Sequence, residues 1–165
     1  MAFAIVTVMI RPLLLRALAL AAMFIPAAAL APVQAEDAGT PLGSFANWAA
    51  YAYSGKDGKV CYIMSKPVKS EPATARRDPV YFLITHRPKQ GVRNEISVII
   101  GYPFKKDSTA KLTAGAASFS LFTSGDGAWA ENATADRQII AALKKAKAMQ
   151  LKGTSARGTA TTDDF

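Results

Sequence analysis

The chain has 165 residues, half of them hydrophobic, and carries one cysteine, one histidine and a formal net charge of +8. A lone His and a lone Cys cannot build a zinc set without several carboxylates, and they leave one candidate base for nucleophilic catalysis. The basic balance favours anionic partner surfaces such as lipid headgroups, envelope polysaccharide or nucleic acid, and says nothing about fold.

At the N-terminus, Arg11 and Arg16 precede an apolar run from Ala17 to Val33, which ends in Val33, Gln34 and Ala35. Small residues at the two positions a signal peptidase reads give residues 1–35 the layout of a secretory signal peptide, with an apolar helix and cleavage between Ala35 and Glu36. An uncleaved anchor is the weaker reading. The run is shorter than the roughly 18 to 20 residues a membrane span needs, and Pro26 and Pro32 interrupt it. The apolar stretch from Met1 to Ile10 in front of the first arginine is unusual, and Met9 is an alternative start. Export predicts periplasmic, outer-envelope or extracellular residence, with no transmembrane span after cleavage. Removing Arg11 and Arg16 with the signal leaves a net charge of +6 on the mature chain.

Residues 36–44 are short, polar and Gly/Pro-bearing, which predicts a flexible lead. One domain then runs over 45–165. Trp48, Tyr51 and Tyr53 come before Ser54-Gly55-Lys56-Asp57-Gly58, and Val60, Tyr62 and Met64 alternate with Cys61, Ile63 and Ser65. That pattern predicts a hairpin whose glycines supply the turn's positive φ. Pro67 to Asp78 reads as an exposed connection. Val80 to Thr85 and Ile96 to Ile100 are strands rich in β-branched and aromatic residues, joined by the polar loop His86 to Asn94 and closed by Gly101, Tyr102 and Pro103. A weaker strand falls near Lys111 to Thr113. Ser118 to Thr123 and Ala128 to Ala130 flank Ser124-Gly125-Asp126-Gly127 as another hairpin. Asn132 or Thr134 caps a helix to about Met149, with Asp136 in its first turn, Lys144, Lys145 and Lys147 in its last, and Ile139, Ile140, Leu143 and Ala146 on its apolar face. A final strand from Gln150 to about Ser155 leads into a polar tail, Gly158 to Thr162. Many short strands with one helix predict a mainly β fold: an antiparallel β-sandwich or barrel-like sheet, with the α-helix near the C-terminus closing one end.

Few residues could carry chemistry. His86, at a strand end in Thr85-His86-Arg87-Pro88, is read as a half-exposed strand-end side chain. A Cys61/His86 dyad would need an orienting third group, and no nucleophile signature surrounds Cys61. Cys61 has three readings: a buried structural thiol, half of a disulfide whose partner is missing from this chain, or an exposed reactive thiol. Asp57 and Asp126 are turn aspartates, and their glycine neighbours match no phosphate loop. Asn132-Ala133-Thr134 fits a glycosylation sequon, but helix capping is the better use of it. Arg76, Arg77, Arg87, Lys89 and Arg93 form a candidate basic contact surface beside Tyr81 and Phe82. An exported protein rarely meets nucleic acid, so an anionic envelope or host surface is the expected partner. No catalytic residue, cofactor or metal site is predicted.

Several segments resemble the invasion-associated locus B family. They are Tyr51-Ala52-Tyr53, Lys59-Val60-Cys61-Tyr62, Tyr81 to Pro88, Val92 to Phe104, Gly125-Asp126-Gly127-Ala128-Trp129-Ala130 and Lys152 to Asp163. The run through Tyr102 is the most distinctive. The resemblance implies a small exported alphaproteobacterial protein with a mostly β fold, in a family named for members linked to entry into host red cells. It carries over no catalytic residue. Family members typically continue past the equivalent of Asp163 with an amphipathic helix and a late cysteine, whereas this sequence stops at Phe165. The resemblance therefore implies a C-terminally shortened domain lacking its last helix, and a lost disulfide partner for Cys61. The leading functional expectation is a virulence-associated envelope protein acting by non-enzymatic surface contacts. The alternative is a small-molecule or lipid-binding module, marked by a dry apolar pocket lined by Trp48, Phe82 or Trp129. An enzyme using His86 as its base comes third.

Overall fold

Alternating apolar residues between glycine-bearing turns make this chain a sheet. A computed structural model describes residues 39–165; the predicted signal peptide and its cleavage point at Ala35 and Glu36 lie outside the described residues. Eleven antiparallel strands form one sheet: β1 (Thr40–Phe45), β2 (Trp48–Gly55), β3 (Gly58–Ser65), β4 (Lys69–Glu71), β5 (Tyr81–Arg87), β6 (Val92–Ile99), β7 (Thr109–Ala114), β8 (Ala117–Ser124), β9 (Gly127–Trp129), β10 (Met149–Thr154) and β11 (Ala160–Asp164). The single helix among the described residues, α1, spans Ala133–Leu143. The mainly β fold with one helix near the C-terminus is what the sequence predicts.

Strand order across the sheet is β1-β2-β3-β5-β6-β9-β8-β7-β10-β11-β4. This order forces the sheet to curl. β3 is third and β4 eleventh, so a flat sheet at about 4.8 Å per strand would hold them roughly 38 Å apart. Only three residues join Ser65 to Lys69, a reach of about 15 Å at most. The two ends must therefore face each other. Phe82 of β5 confirms it, meeting Phe165, the residue after β11, edge to face at 6.0 Å.

Inside the curl, Phe82, Ile96, Val98, Leu112, Leu121 and Leu151 are fully buried. Asn132 caps α1 by accepting the N–H groups of Thr134 and Ala135 at 3.0 Å each. The helix seats Ile139 in the core and closes one end. Its Asp136 carboxylate accepts the Ile96 N–H at 2.9 Å, a donor on β6 beyond the reach of β9. Burial pushes the Asp136 carboxyl above its ordinary value, partly offset by this hydrogen bond.

Several boundaries differ from expectation: the predicted exposed connection Pro67 to Asp78 contains β4, paired with β11, and the predicted loop His86 to Asn94 is shortened by the ends of β5 and β6. Part of the predicted lead is paired, since Thr40–Phe45 bonds to β2. The polar tail is strand β11, held between β10 and β4. The helix stops at Leu143, because Met149 already begins β10 and the lysines at 144, 145 and 147 lie past its end.

Candidate functional site

In an antiparallel sheet with one buried face, the other face is ordinarily polar. Here half of the outer face is not. Cross-strand register places Tyr51 opposite Tyr62 and Tyr62 opposite Thr85, with Met64 opposite Leu83 and Tyr81 opposite Ile99. These side chains point away from the buried neighbours Ala52, Phe82 and Ile84, because successive residues of a strand alternate faces. Tyr51 stacks on Tyr62 at 5.2 Å, and Tyr53 meets the same ring at 6.4 Å. Together with Val60 and Arg87 they line a shallow depression of about 550 Å3 that holds no carboxylate.

The apolar character continues around the sheet. Trp129 of β9 stands opposite Ser97 of β6 and stacks on Phe122 of β8 at 5.5 Å. A Cβ at Gly127 would sit 2.1 Å from the Trp129 ring, so glycine is what lets the indole lie flat on the strand. Lys66 lies 5.4 Å from the centre of the Tyr81 ring and places a cation at the rim. Phe45 and Leu42, on edge strand β1, are 70% and 61% exposed.

The five predicted basic contact residues do not form one surface. Arg76 and Arg77 precede β5, whereas Arg87, Lys89 and Arg93 lie at its far end, roughly 20 Å away along the strand. Arg77 is withdrawn from solvent: its side chain is 7% exposed and pairs with the fully buried Asp163 through both carboxylate oxygens. Its Nη1 also reaches the Ile100 carbonyl, and the Ser70 hydroxyl donates to Asp163 Oδ1 at 2.6 Å. Arg87 donates to Glu95 at 2.5 Å and to Gln90 at 2.9 Å. Arg76, Lys89 and Arg93 remain exposed.

Cys61 of β3 stands directly opposite His86 of β5. The Nδ1 lone pair of His86 accepts the Asn94 N–H at 3.1 Å, which leaves the proton on Nε2. That lone pair is therefore engaged and cannot take a thiol proton without giving up the bond. Cys61 is half-buried and free. Among the described residues no group of three or more His, Cys, Asp or Glu could hold a metal ion.

No dry apolar pocket gathers at Trp48, Phe82 or Trp129; the depression of about 620 Å3 beside Trp129 is also lined by Glu95, Glu131 and Asp136. Trp48 packs edge-on to the buried Phe82 at 6.0 Å, and Trp129 lies on the outer face. The cavity beside Trp48 and Phe165 holds about 190 Å3, below the roughly 300 Å3 at which ordinary ligand pockets begin.

A curled antiparallel sheet, filled inside and capped by one helix, defines a small β-sheet protein that carries apolar side chains on part of its outer face as well as in its core. The family model described as Invasion associated locus B (IalB) protein matches residues 48–165, and the chain belongs to that family. No curated protein and no solved structure shows significant similarity to it.

Proposed function

We propose that this IalB-family chain is an exported envelope protein that acts by surface contact rather than catalysis, and that the aromatic half of its outer face docks on an anionic lipid surface. One observation carries the reading: four tyrosines, Met64, Leu83 and Ile99 are turned outward on adjacent strands around a depression with no carboxylate. Burying such side chains gains roughly 1.5 to 3 kcal/mol each, a strong drive toward a partner. Tyrosines suit the headgroup layer, where the ring meets acyl chains and the hydroxyl stays wet. The Lys66 rim and the net charge of +6 left after removal of the predicted signal peptide supply attraction to anionic headgroups. The same cations oppose pairing of this face with a second copy.

The depression is open and shallow, which favours a surface over an enclosed small molecule. The predicted signal peptide puts the chain in the right compartment, and the engaged lone pair of His86 weighs against its use as a base. Host-cell association, the property for which the family is named, would then begin at a membrane.

Co-sedimentation of the mature chain, residues 36–165, with phosphatidylglycerol vesicles tests this directly. Binding to these and not to phosphatidylcholine, with at least a tenfold loss in the double variant Tyr53→Ser/Tyr81→Ser, is the expected result. Equal binding by variant and wild type would remove the aromatic face from the account, and absence of any vesicle binding would favour a protein partner.

A further inference from the structure

Two arginines on separate segments line one cleft, and neither makes an ion pair with an acidic residue among the described residues. Arg76 lies in the connection between β4 and β5, and Arg157 in the turn between β10 and β11. With Thr74, Ser155 and Thr159 they line a cavity of about 430 Å3 that contains no carboxylate. Both also line the adjoining depression, where Asp78 is the sole acid.

The backbone beneath each arginine is tied down. Beside Arg76, Arg77 is held by Asp163, and the Asp78 N–H donates to the Gly101 carbonyl at 2.9 Å. Gly101 has φ +78°, and a Cβ there would lie 2.0 Å from the Asp78 carbonyl oxygen, so this approach requires glycine. Around Arg157, the Ala156 N–H donates to Pro103 at 2.8 Å, and the Gly158 N–H donates to the Ser155 carbonyl at 2.8 Å. The Thr159 N–H donates to the Ser155 hydroxyl at 3.1 Å. A fixed frame thus presents two exposed guanidinium groups, and a preorganised site loses less on binding than a floppy one.

We propose that this cleft binds a phosphate monoester, with Arg76 and Arg157 on its oxygens and the Thr74 and Thr159 hydroxyls beside it. Guanidinium forks match phosphate oxygens through paired hydrogen bonds. Two arginines without a carboxylate in the cavity suit a dianion better than a single carboxylate ligand. The site stands on different residues from the aromatic face and does not depend on it.

Titration calorimetry of the full chain with inorganic phosphate, and vesicle binding with phosphatidic acid in phosphatidylcholine, test the two sources of such a group. Expected are saturable phosphate binding, a loss of at least tenfold in Arg76→Ala/Arg157→Ala, and a partial loss in Arg157→Lys. Arg93→Ala, an exposed cation at the other end of β5, should stay within twofold of wild type. Binding of phosphatidic acid vesicles without free phosphate, lost in the same double variant, assigns the site to a lipid headgroup. Binding of both assigns it to the phosphate itself. No saturable binding of either, or an equal loss in Arg93→Ala, would overturn the proposal.

Discussion

The two halves of this sheet share one pleat and one core, yet their outer surfaces differ. On β7, β8, β10 and β11 the outward positions Thr109, Lys111, Thr113, Ser118, Ser120, Gln150, Lys152, Thr162 and Asp164 are the polar set expected of a sheet facing water, and Phe122, at the border with β9, is the apolar exception. On β2, β3, β5 and β6 the same positions hold Tyr51, Tyr53, Tyr62, Met64, Tyr81, Leu83 and Ile99, with Thr85, Ser97 and Glu95 as the polar members toward one end. Folding alone needs only one apolar face, so the second is surplus to the core. The polar half shows what the outside of this fold looks like when it has only to be soluble. The contrast is what supports the proposal that the aromatic half makes the contact.

Substitutions that separate folding from contact test this contrast. The largest effect should come where the polar half closes on the rest. Removing Asp163 leaves Arg77 buried without its partner, so Asp163→Ala should cost about 3 to 5 kcal/mol in denaturant unfolding. Next, Asn132→Ala removes the acceptor of two helix N–H groups and should cost about 1 kcal/mol without altering vesicle binding.

Asp136 gives a pH-dependent effect. Burial raises its folded pKa above the ordinary 3.8. The stability linked to this group is therefore complete below that value, where the carboxyl is protonated in both states. It is lost as pH rises through the folded pKa. Asp136→Asn keeps an oxygen for the Ile96 N–H and should be more stable than wild type at pH 7, with the gain vanishing below pH 3.8. Urea unfolding across that range checks the sign. The smallest effect belongs to the polar half: Lys152 stands directly opposite Lys111, so Lys152→Ala should gain a few tenths of a kcal/mol, most clearly at low salt.

Much of the fold was legible because hairpin signals are local. Ser54 to Gly58 and Ser124 to Gly127 mark their turns by composition, and the flanking runs alternate. β11 was not legible, since Ala160 to Asp164 has no apolar residue beyond Ala160. It holds its place through ladder bonds and the burial of Asp163 against Arg77, a contact across 86 positions. The helix was overextended because Ala and Lys after Leu143 favour helix locally, whereas pairing of β10 with β7 draws Met149 into the sheet.

The aromatic face was hidden for a related reason. In Val60-Cys61-Tyr62-Ile63-Met64 both alternating sets are apolar, so period alone cannot say which set faces in. Trp129 looked like pocket lining, and only the register with Phe122 turns it outward. Arg77 read as one more loop cation because nothing local announces its distant acid. Nothing local marks Arg157, since its neighbourhood with Arg76 exists only once β11 returns beside β10.

Covalent carbene footprinting of the mature chain, residues 36–165, with and without phosphatidylglycerol vesicles, tests the central claim most directly. Docking through the aromatic half predicts reduced labelling at Tyr53, Tyr81 and Ile99, with Lys111 and Lys152 unchanged. Protection of Lys111 and Lys152 instead, or no protection on either half, would contradict it.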